Sequence, residues 1–426
     1  MAVTEISDDI KIKFLGGTGE VGRSAIAVGS GKTQILLDYG VMLDHEPGFP
    51  MHISPREVSA IILSHAHLDH CGSIPIFHVR GHTPVYGTPP TYDLTKLLIS
   101  DFIRVTGYYL PYEYIDLENM LSCYIKTAYR EPVKIGDLEV ELLNAGHIPG
   151  GAQTVVSGST KRILYTSDMN AVETRLLEGA DQSYDEIDVL ISESTYAYED
   201  HGDRSEVERR FIERVRETVE HGGVVLVPAL SVGRSQEILL VLQAYKFEYP
   251  VFVDGMAEDA NEILFNHPDY IRNPKMFAEA MHKAHWIKGW RERRLAIKKP
   301  CVIVSPAGML KGGHAIFYMN KVAKKRSNAI FLVSYQIPGT PGRRLLETKK
   351  FVLNGRIRKV EADVDHFDFT SHSGRKQLLE TARRSGCTRA FTIHGAEENC
   401  QLFASLLKDE LGIDAIAPKP GDTFKV

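Results

Sequence analysis

Residues 60–70 read Ala-Ile-Ile-Leu-Ser-His-Ala-His-Leu-Asp-His, an apolar run that ends abruptly in a polar one. The apolar run predicts a buried strand. The polar run places four side chains that can bind a metal, His65, His67, Asp69 and His70, within six residues. Imidazole and carboxylate are the ligands that zinc takes when cysteine is absent. A single histidine is more often a structural residue, but four such groups at one strand end predict a zinc site.

Other predicted strands also end in a side chain that can bind a metal or transfer a proton. Short apolar runs lead directly to Asp168, Glu193 and His394. The alternation of such β-branched runs with longer helical patterns is typical of an α/β protein. In α/β folds the ligand crevice lies beyond the carboxyl ends of the strands. We therefore expect these side chains to converge on the segment 65–70.

His147 stands in a glycine-rich turn, Ala-Gly-His-Ile-Pro-Gly-Gly over residues 145–151, and Gly395 follows His394. Glycine permits tight turns that can aim an imidazole. Read one at a time, His147 could be a loop histidine and Asp168 a helix N-cap. The motif at 65–70 cannot fill two metal shells alone, however, and these residues supply the further donors that a second ion needs.

A chain of 426 residues is too long for one ordinary core, so we expect two domains. The composition shifts to a charged helix near residue 204, and a second α/β unit follows it. The chain then returns to the first domain near Asn354, because His372 and His394 belong with the early histidines. The predicted division is 1–200, 201–353 and 354–426.

Hydrophobic residues make up 43% and charged residues 25% of the chain, as in soluble globular proteins. No apolar run is long enough to span a bilayer, and the first residues do not resemble a signal peptide. The five cysteines are scattered and odd in number, so we expect reduced thiols and a cytoplasmic location.

Charge is distributed unevenly along the chain. The net charge is −5, yet residues 272–361 contain 21 Lys and Arg against four acids. A short basic run is usually a solvated surface, but ninety residues of sustained imbalance favour a face that binds a polyanion.

These motifs, taken together and in order, resemble those of the metallo-β-lactamase superfamily and its β-CASP branch, which processes nucleic acids. The similarity covers essentially the whole chain. The matching positions are Asp38, the segment 65–70, His147 and Asp168 for the superfamily, and Glu193, His372 and His394 for motifs A, B and C of the branch.

The resemblance implies a metallo-β-lactamase αββα sandwich, in an N-terminal part (1–200) and a C-terminal part (354–426), with an inserted α/β β-CASP domain at 201–353. It also implies two Zn²⁺ per chain, bridged by Asp168 and a hydroxide. Asp38 would orient the ligands. The two implied ligand sets are His65, His67 and His147 for one zinc, and Asp69, His70 and His394 for the other.

The same resemblance implies hydrolysis of RNA phosphodiester bonds, since RNA-directed members carry a histidine at motif C. His372 would be the general acid, held by Glu193, and Asp69 is counted with them as catalytic. Loops of the insert would contact single-stranded RNA, because a helix N-terminus and arginine suit a phosphate. The predicted RNA-binding residues are Ser231, Gly233, Arg234, Ser235, Gly308 and Arg343.

Two ribonuclease types are close. The chain resembles the cleavage and polyadenylation specificity factor nuclease in its short archaeal-type form without N-terminal KH domains, which implies endonuclease activity, with 5′-to-3′ exonuclease activity as an addition. It also resembles RNase J, a 5′ exonuclease. A non-nucleolytic metallo-hydrolase and an inactive scaffold subunit are the remote alternatives. A homodimer and contacts with RNA-processing or transcription-termination proteins are expected from the family.

Overall fold

The computed structural model describes residues 10–43, 46–337 and 339–426. The chain divides into two compact units. Unit 1 combines the residues up to 173 with 178–200 and 371–426, and unit 2 consists of 174–177 and 201–370.

The strands of the described residues are numbered in chain order. The first thirteen are β1 (Lys11–Gly16), β2 (Ala25–Ser30), β3 (Thr33–Leu37), β4 (Met42–Leu43), β5 (Pro47–Gly48), β6 (Ala60–Ile62), β7 (Val85–Gly87), β8 (Tyr124–Lys126), β9 (Val133–Ile135), β10 (Leu138–Asn144), β11 (Ala152–Ser157), β12 (Arg162–Tyr165) and β13 (Val189–Glu193). The next eight are β14 (Val224–Pro228), β15 (Val251–Val253), β16 (His285–Trp286), β17 (Cys301–Ser305), β18 (Ala329–Leu332), β19 (Lys350–Leu353), β20 (Arg356–Lys359) and β21 (Asp363–His366). The last three are β22 (Arg389–Ile393), β23 (Asp414–Ile416) and β24 (Thr423–Lys425).

The α-helices are numbered in the same way. They are α1 (Leu68–Cys71), α2 (Pro89–Val105), α3 (Tyr114–Ser122), α4 (Arg204–Glu220), α5 (Arg234–Ala244), α6 (Ala257–Phe265), α7 (Pro274–Lys283), α8 (Trp290–Ala296), α9 (Ala315–Val322), α10 (Pro341–Thr348), α11 (Arg375–Ser385) and α12 (Glu397–Leu411).

Unit 1 is built on two seven-stranded sheets, in the orders β24-β1-β2-β3-β6-β7-β8 and β23-β22-β13-β12-β11-β10-β9. Side chains alternate between the faces of a strand, and the burial follows this rule. Ile26 and Val28 of β2 pack against residues of the second sheet, including Ile163 of β12, in one buried cluster between the sheets. Ala25 and Ala27 face the opposite side, in a cluster shared with α1, α2 and α3.

The outer face of the second sheet is covered in the same manner. Leu164 and Leu190 lie in a buried cluster with Leu378 of α11 and Phe403 of α12. The order of layers is therefore helices, sheet, sheet, helices. The predicted αββα sandwich is confirmed.

Unit 2 contains a parallel six-stranded sheet in the order β16-β15-β17-β14-β18-β21. On one face, Met319 of α9 and Leu345 of α10 join the apolar side chains of the strands. On the other face, Phe211 of α4 packs against Phe331 of β18, with ring centroids 6.3 Å apart. Helices cover both faces, as is usual for parallel sheets. The predicted α/β insert is confirmed.

The bounds of unit 2 differ from the predicted insert at one end. The insert was expected to end at residue 353, whereas unit 2 extends to residue 370. The physical reason is β21, which pairs in parallel with β18 from Ala329 to Leu332 and so completes the sheet of unit 2. The chain re-enters unit 1 at Ser371, so His372 lies in unit 1 shortly after β21.

Among the described residues, no helix combines the length and the apolar character needed to cross a bilayer.

Candidate metal centre

The side chains of the candidate site come from strand ends on one edge of unit 1. β22, β13 and β12 are parallel neighbours, so the residues that follow or end them, His394, Glu193 and Asp168, lie at the same edge. In the other sheet, β6 runs parallel to β3, and its continuation carries the segment 65–70. His67 is the N-cap of the short helix α1. Convergence of strand ends therefore explains why residues distant in sequence meet.

Seven side chains form two groups that could each hold a metal ion, with the donor atoms of a group within 4.8 Å of one another. Asp168 belongs to both. The first group is His65, His67, His147 and Asp168, and the second is Asp69, His70, Asp168 and His394.

Asp168 lies between the groups and turns one oxygen toward each. Its Oδ2 is 3.7 Å from Nε2 of His65 and 3.6 Å from Nε2 of His147. Its Oδ1 is 3.3 Å from Nε2 of His70 and 3.2 Å from Nε2 of His394. A carboxylate in this position can serve two cations at once, which is the arrangement expected of a bridging ligand.

Four of the histidines have their Nδ1 atoms occupied by the protein. His147 Nδ1 donates to the carbonyl oxygen of Ser371 over 2.8 Å, and His70 Nδ1 lies 2.8 Å from Asp38 Oδ2. Hydroxyl groups contact Nδ1 of the other two, His65 (Ser64, 3.0 Å) and His394 (Ser24, 3.1 Å). A hydrogen bond at Nδ1 fixes the ring and leaves the Nε2 lone pair for a metal.

Asp38 is a fully buried carboxylate that organises this network. It accepts hydrogen bonds from the backbone N–H and the hydroxyl of Ser64, from Tyr165 and from His70. Its backbone is in the left-handed region, with φ +60°. Such a conformation is unfavourable for a residue with a side chain and is found mainly where the surrounding structure requires it. The position therefore fits the predicted role of orienting ligands.

The protonation states of three of the histidines suit metal binding. Burial lowers the pKa of His65, His67 and His147, so these imidazoles are neutral at pH 7 and can offer a lone pair. Burial also lowers the pKa of His70, but the charges of Asp168 and Asp38 outweigh it and raise that pKa well above its usual value, so a cation at this imidazole would have to displace a proton. For Asp168, burial raises the pKa, but His394 and His70 hold it well below its usual range.

Several of the donor atoms are buried without a hydrogen bond of good geometry. Within the described part of the chain, Nε2 of His65, His67 and His70 and Oδ1 of Asp168 are buried and form no hydrogen bond. Buried polar atoms without a hydrogen bond are rare and costly, and cations at the two groups would give a partner to Nε2 of His65, Nε2 of His70 and Oδ1 of Asp168. The donor set, its burial and the neutral state of His65, His67 and His147 therefore fit two metal ions.

His372 and Glu193 form a pair beside the first group. His372 Nδ1 lies 3.0 and 2.9 Å from the two oxygens of Glu193, and its ring centroid is 4.6 Å from that of His147. Glu193 Oε1 also accepts from the backbone N–H of Met169. Burial lowers the pKa of His372, but the charge and hydrogen bond of Glu193 raise it to about 9. The imidazole is therefore protonated at pH 7.

The residues predicted to bind RNA all lie in unit 2, on loops that follow the carboxyl ends of parallel strands. Ser231 and Gly233 lie between β14 and α5, Arg234 and Ser235 begin α5, Gly308 follows β17, and Arg343 lies on α10 after β18. The loops contact each other, since Gln336 Nε2 donates to the carbonyl oxygen of Gly308. Arg343 is half-exposed and pairs with Glu347, whereas the side chain of Arg234 is largely buried. Their contact with RNA stays a prediction.

The sequence did not indicate several groups that hold the histidines. Ser24, Tyr165, Ser167 and the carbonyl of Ser371 contact the ligands or Asp38. Serine and tyrosine are too common for such roles to be read from one sequence. Only Ser167 could have been identified from the sequence, because it follows a predicted strand and directly precedes Asp168.

Comparison with known proteins places the chain in a family. Residues 28–195 match the metallo-beta-lactamase superfamily domain, 235–345 the Beta-Casp domain, and 357–418 the Zn-dependent metallo-hydrolase RNA specificity domain.

Several archaeal proteins are similar over nearly the whole chain. RNase aCSPSF2 of Saccharolobus solfataricus is 41% identical over 97% of this chain and 85% of its own length. Probable RNase MJ4 of Methanocaldococcus jannaschii is 35% identical over 98% of this chain and 100% of its own length. Transcription termination factor FttA of Pyrococcus horikoshii is 34% identical over 98% of this chain and 71% of its own length.

A solved structure shares the fold. A protein of unknown function from Enterococcus faecalis superimposes with a TM-score of 0.61 and 14% identity, over 98% of this chain and 100% of that chain. The resemblance drawn from the sequence motifs is thus confirmed, and the chain belongs to the β-CASP family of the metallo-β-lactamase superfamily, together with these archaeal relatives.

Proposed function

We propose that the protein is a zinc-dependent ribonuclease that hydrolyses internal phosphodiester bonds of single-stranded RNA. The observation that carries the proposal is the His372–Glu193 pair, which lies against a set of seven metal donors. A proton donor beside a two-metal site is what phosphodiester hydrolysis needs. RNA as the substrate is supported by relatives named RNase aCSPSF2 and Probable RNase MJ4. A cytoplasmic location and a homodimer remain part of the proposal.

The donors would hold two Zn²⁺ ions. His65, His67 and His147 are assigned to one ion and Asp69, His70 and His394 to the other, with Asp168 between them. Two such ions would lower the pKa of a water molecule to supply a nucleophile at neutral pH and would offset the charge of the phosphate. Asp69 is partly exposed, unlike the other donors of its group, which suits its proposed place beside the substrate.

His372 would complete the reaction. When the P–O bond to the leaving sugar breaks, that oxygen takes up the proton that the imidazolium holds on Nε2. Glu193 accepts from Nδ1 and so fixes the ring and keeps its positive charge. A general acid of this kind typically contributes about 10²- to 10⁴-fold to the rate. The residues of unit 2 that are proposed to contact the RNA are Ser231, Gly233, Arg234, Ser235, Gly308 and Arg343.

Circular RNA tests the proposal and its cleavage mode. The zinc-loaded protein is expected to linearise a single-stranded circle, because an endonuclease needs no free end, and a chelator should stop the cleavage. Linear RNA carrying a 5′-monophosphate or a 5′-triphosphate is assayed in parallel. Intact circles with shortening of the 5′-monophosphate substrate would favour the RNase J-type 5′ exonuclease. No cleavage of any RNA by protein with two zinc equivalents would refute ribonuclease function.

The charge of Glu193 should set the alkaline limit of activity. Because the pKa of His372 is raised to about 9, the protonated acid is present below that pH and is lost as the pH rises through it. In Glu193→Gln the amide oxygen can still accept from Met169 N–H, but the negative charge is gone. The pKa should then fall toward the ordinary value of about 6.5. We expect the alkaline limb of the kcat–pH profile to move down by about two pH units.

Glu131 is exposed, and its replacement by glutamine removes the same charge as Glu193→Gln, so Glu131→Gln serves as the control. Glu131→Gln should leave the alkaline limb where it is in the wild-type protein. If Glu193→Gln leaves it there as well, the limb does not report His372, and the assignment of the general acid is contradicted.

A further inference from the structure

Strands β19 and β20 of unit 2 form a two-stranded antiparallel ribbon, here called the basic ribbon (residues 349–360). Its two-residue turn is Asn354-Gly355, with φ +49° and +76°. Both residues thus have the positive φ that a tight hairpin of this length requires. In the register of the ribbon, Lys350 lies opposite Lys359, and Val352 lies opposite Ile357.

The ribbon carries positive charge without compensation. Residues 349–360 contain five Lys and Arg and no Asp or Glu. Lys349 donates its amino group to the carbonyl oxygen of Val364. The other four cations, Lys350, Arg356, Arg358 and Lys359, are exposed, and none forms an ion pair or a side-chain hydrogen bond with any residue that the structure describes.

The outward face of the ribbon combines two kinds of contact group. Opposite residues of an antiparallel pair point to the same side, so Lys350, Val352, Ile357 and Lys359 share one face. Phe351 and Leu353 are buried on the other face. Val352 is 49% and Ile357 68% exposed. The outward face therefore presents two exposed apolar side chains, Val352 and Ile357, beside two positive charges, Lys350 and Lys359.

This arrangement is unfavourable for the isolated protein. Like charges directly opposite each other destabilise a strand pair, and exposed aliphatic side chains give no stabilisation. Charged residues on an edge strand do prevent pairing with other chains, but a single charge suffices for that purpose. Two unpaired lysines beside an apolar pair, with Arg356 and Arg358 unpaired on the other face of the ribbon, are better explained by a ligand that neutralises the charges and covers the aliphatic groups.

We propose that the basic ribbon binds the phosphate backbone of RNA, an inference that rests on the ribonuclease function proposed above. Phosphate groups would neutralise the four cations. The planar guanidinium groups of Arg356 and Arg358 can also stack on bases, and Val352 and Ile357 offer apolar contact to the sugars and bases. The net charge of the whole chain is −5, so attraction of a polyanion must come from local surfaces such as this one.

The test compares two quadruple variants in RNA binding by fluorescence anisotropy. The ribbon variant is Lys350→Gln, Arg356→Gln, Arg358→Gln and Lys359→Gln. The matched control is Lys298→Gln, Lys299→Gln, Lys324→Gln and Lys325→Gln, which removes four exposed charges elsewhere in unit 2. The ligand is a fluorescent single-stranded RNA, with zinc-free protein so that it is not cut, over a range of salt concentrations.

We expect the ribbon variant to bind more weakly than both the wild type and the control. Each phosphate that a cation no longer neutralises reduces the slope of log K against log salt by about 0.7 for a single strand. Removal of all four cations should therefore make the slope shallower by about 3. The control should keep the wild-type slope.

Equal affinity and equal slope for the ribbon variant and the wild type would overturn the proposal, as would equal weakening in the control. A polyglutamate peptide of the same charge that binds the wild type as tightly as RNA would also overturn it, since the ribbon would then recognise an acidic polypeptide. These outcomes are distinct from failure of the proposed function. That failure would appear as uncut RNA with the zinc-loaded wild type, whatever the ribbon variant does.

Discussion

Replacement of His372 by alanine is expected to lower RNA cleavage by about 10²- to 10⁴-fold while zinc content stays at about two equivalents per chain. The reason lies in the site geometry. His372 contacts Glu193 and lies beside His147, but it belongs to neither group of metal donors. Its replacement should remove a proton donor and leave the metal donors in place. Single-turnover cleavage and elemental analysis of the same preparation measure the two quantities.

A substrate with a different leaving group separates proton donation from a structural role. A p-nitrophenyl phosphodiester releases an anion that is stable without a proton, so His372→Ala should cleave it nearly as fast as the wild type does. His282, exposed on α7, provides the matched control, and His282→Ala should cleave both substrates normally. Equal losses of rate on RNA and on the activated ester would argue against general-acid catalysis by His372.

Replacement of Asp168 by asparagine should have the largest effect on the metal content. Asp168 lies within 3.7 Å of four histidine Nε2 atoms and shares its two oxygens between the groups. Asparagine keeps the size but loses the charge and one oxygen ligand. Metal affinity should fall by more than the roughly 10- to 100-fold typical of groups that only orient a ligand. RNA cleavage should fall with it.

Titration with zinc, followed by dialysis and elemental analysis, measures this effect directly. Asp185→Asn is the control, because Asp185 is 85% exposed and the charge change is the same. The control should bind two equivalents. An Asp168→Asn protein that also retains two equivalents and cleaves RNA normally would contradict a shared carboxylate.

The parts of the structure that the sequence predicts well are those with a simple physical signature. Apolar runs that stop at His65, Asp168 or His394 predict both a strand and the place where its end lies, because parallel neighbours end at one edge. The α/β class follows from this pattern, whereas the αββα sandwich with its insert follows from the resemblance to the metallo-β-lactamase superfamily that the ordered motifs carry. The donors that the structure brings together are the seven that the sequence singled out.

Other features depend on packing between distant segments and have no signature in the local sequence. The hydroxyl of Ser24 meets His394 across 370 positions of sequence, and no spacing rule predicts such an interaction. β21 reads as a short polar stretch, Asp-Val-Asp-His, yet it completes the sheet of unit 2 because β18 offers a free edge. Arg234 follows a pattern that suits a phosphate, but its side chain is largely buried in the structure, which the pattern does not indicate.

Unit 1 is formed by segments that lie on both sides of unit 2 along the chain. This arrangement determines the order in which the residues of the site are synthesised. β22 lies between β13 and β23 in the second sheet, and it leads to His394, which follows all of unit 2 along the chain. His372 also follows unit 2. Domains generally fold as they emerge from the ribosome, N-terminal segments first. A nascent chain therefore carries six of the seven possible metal donors before unit 2 is made, whereas His394 and the neighbouring His372 follow only after it. The complete donor set can therefore assemble only after unit 2 has been synthesised.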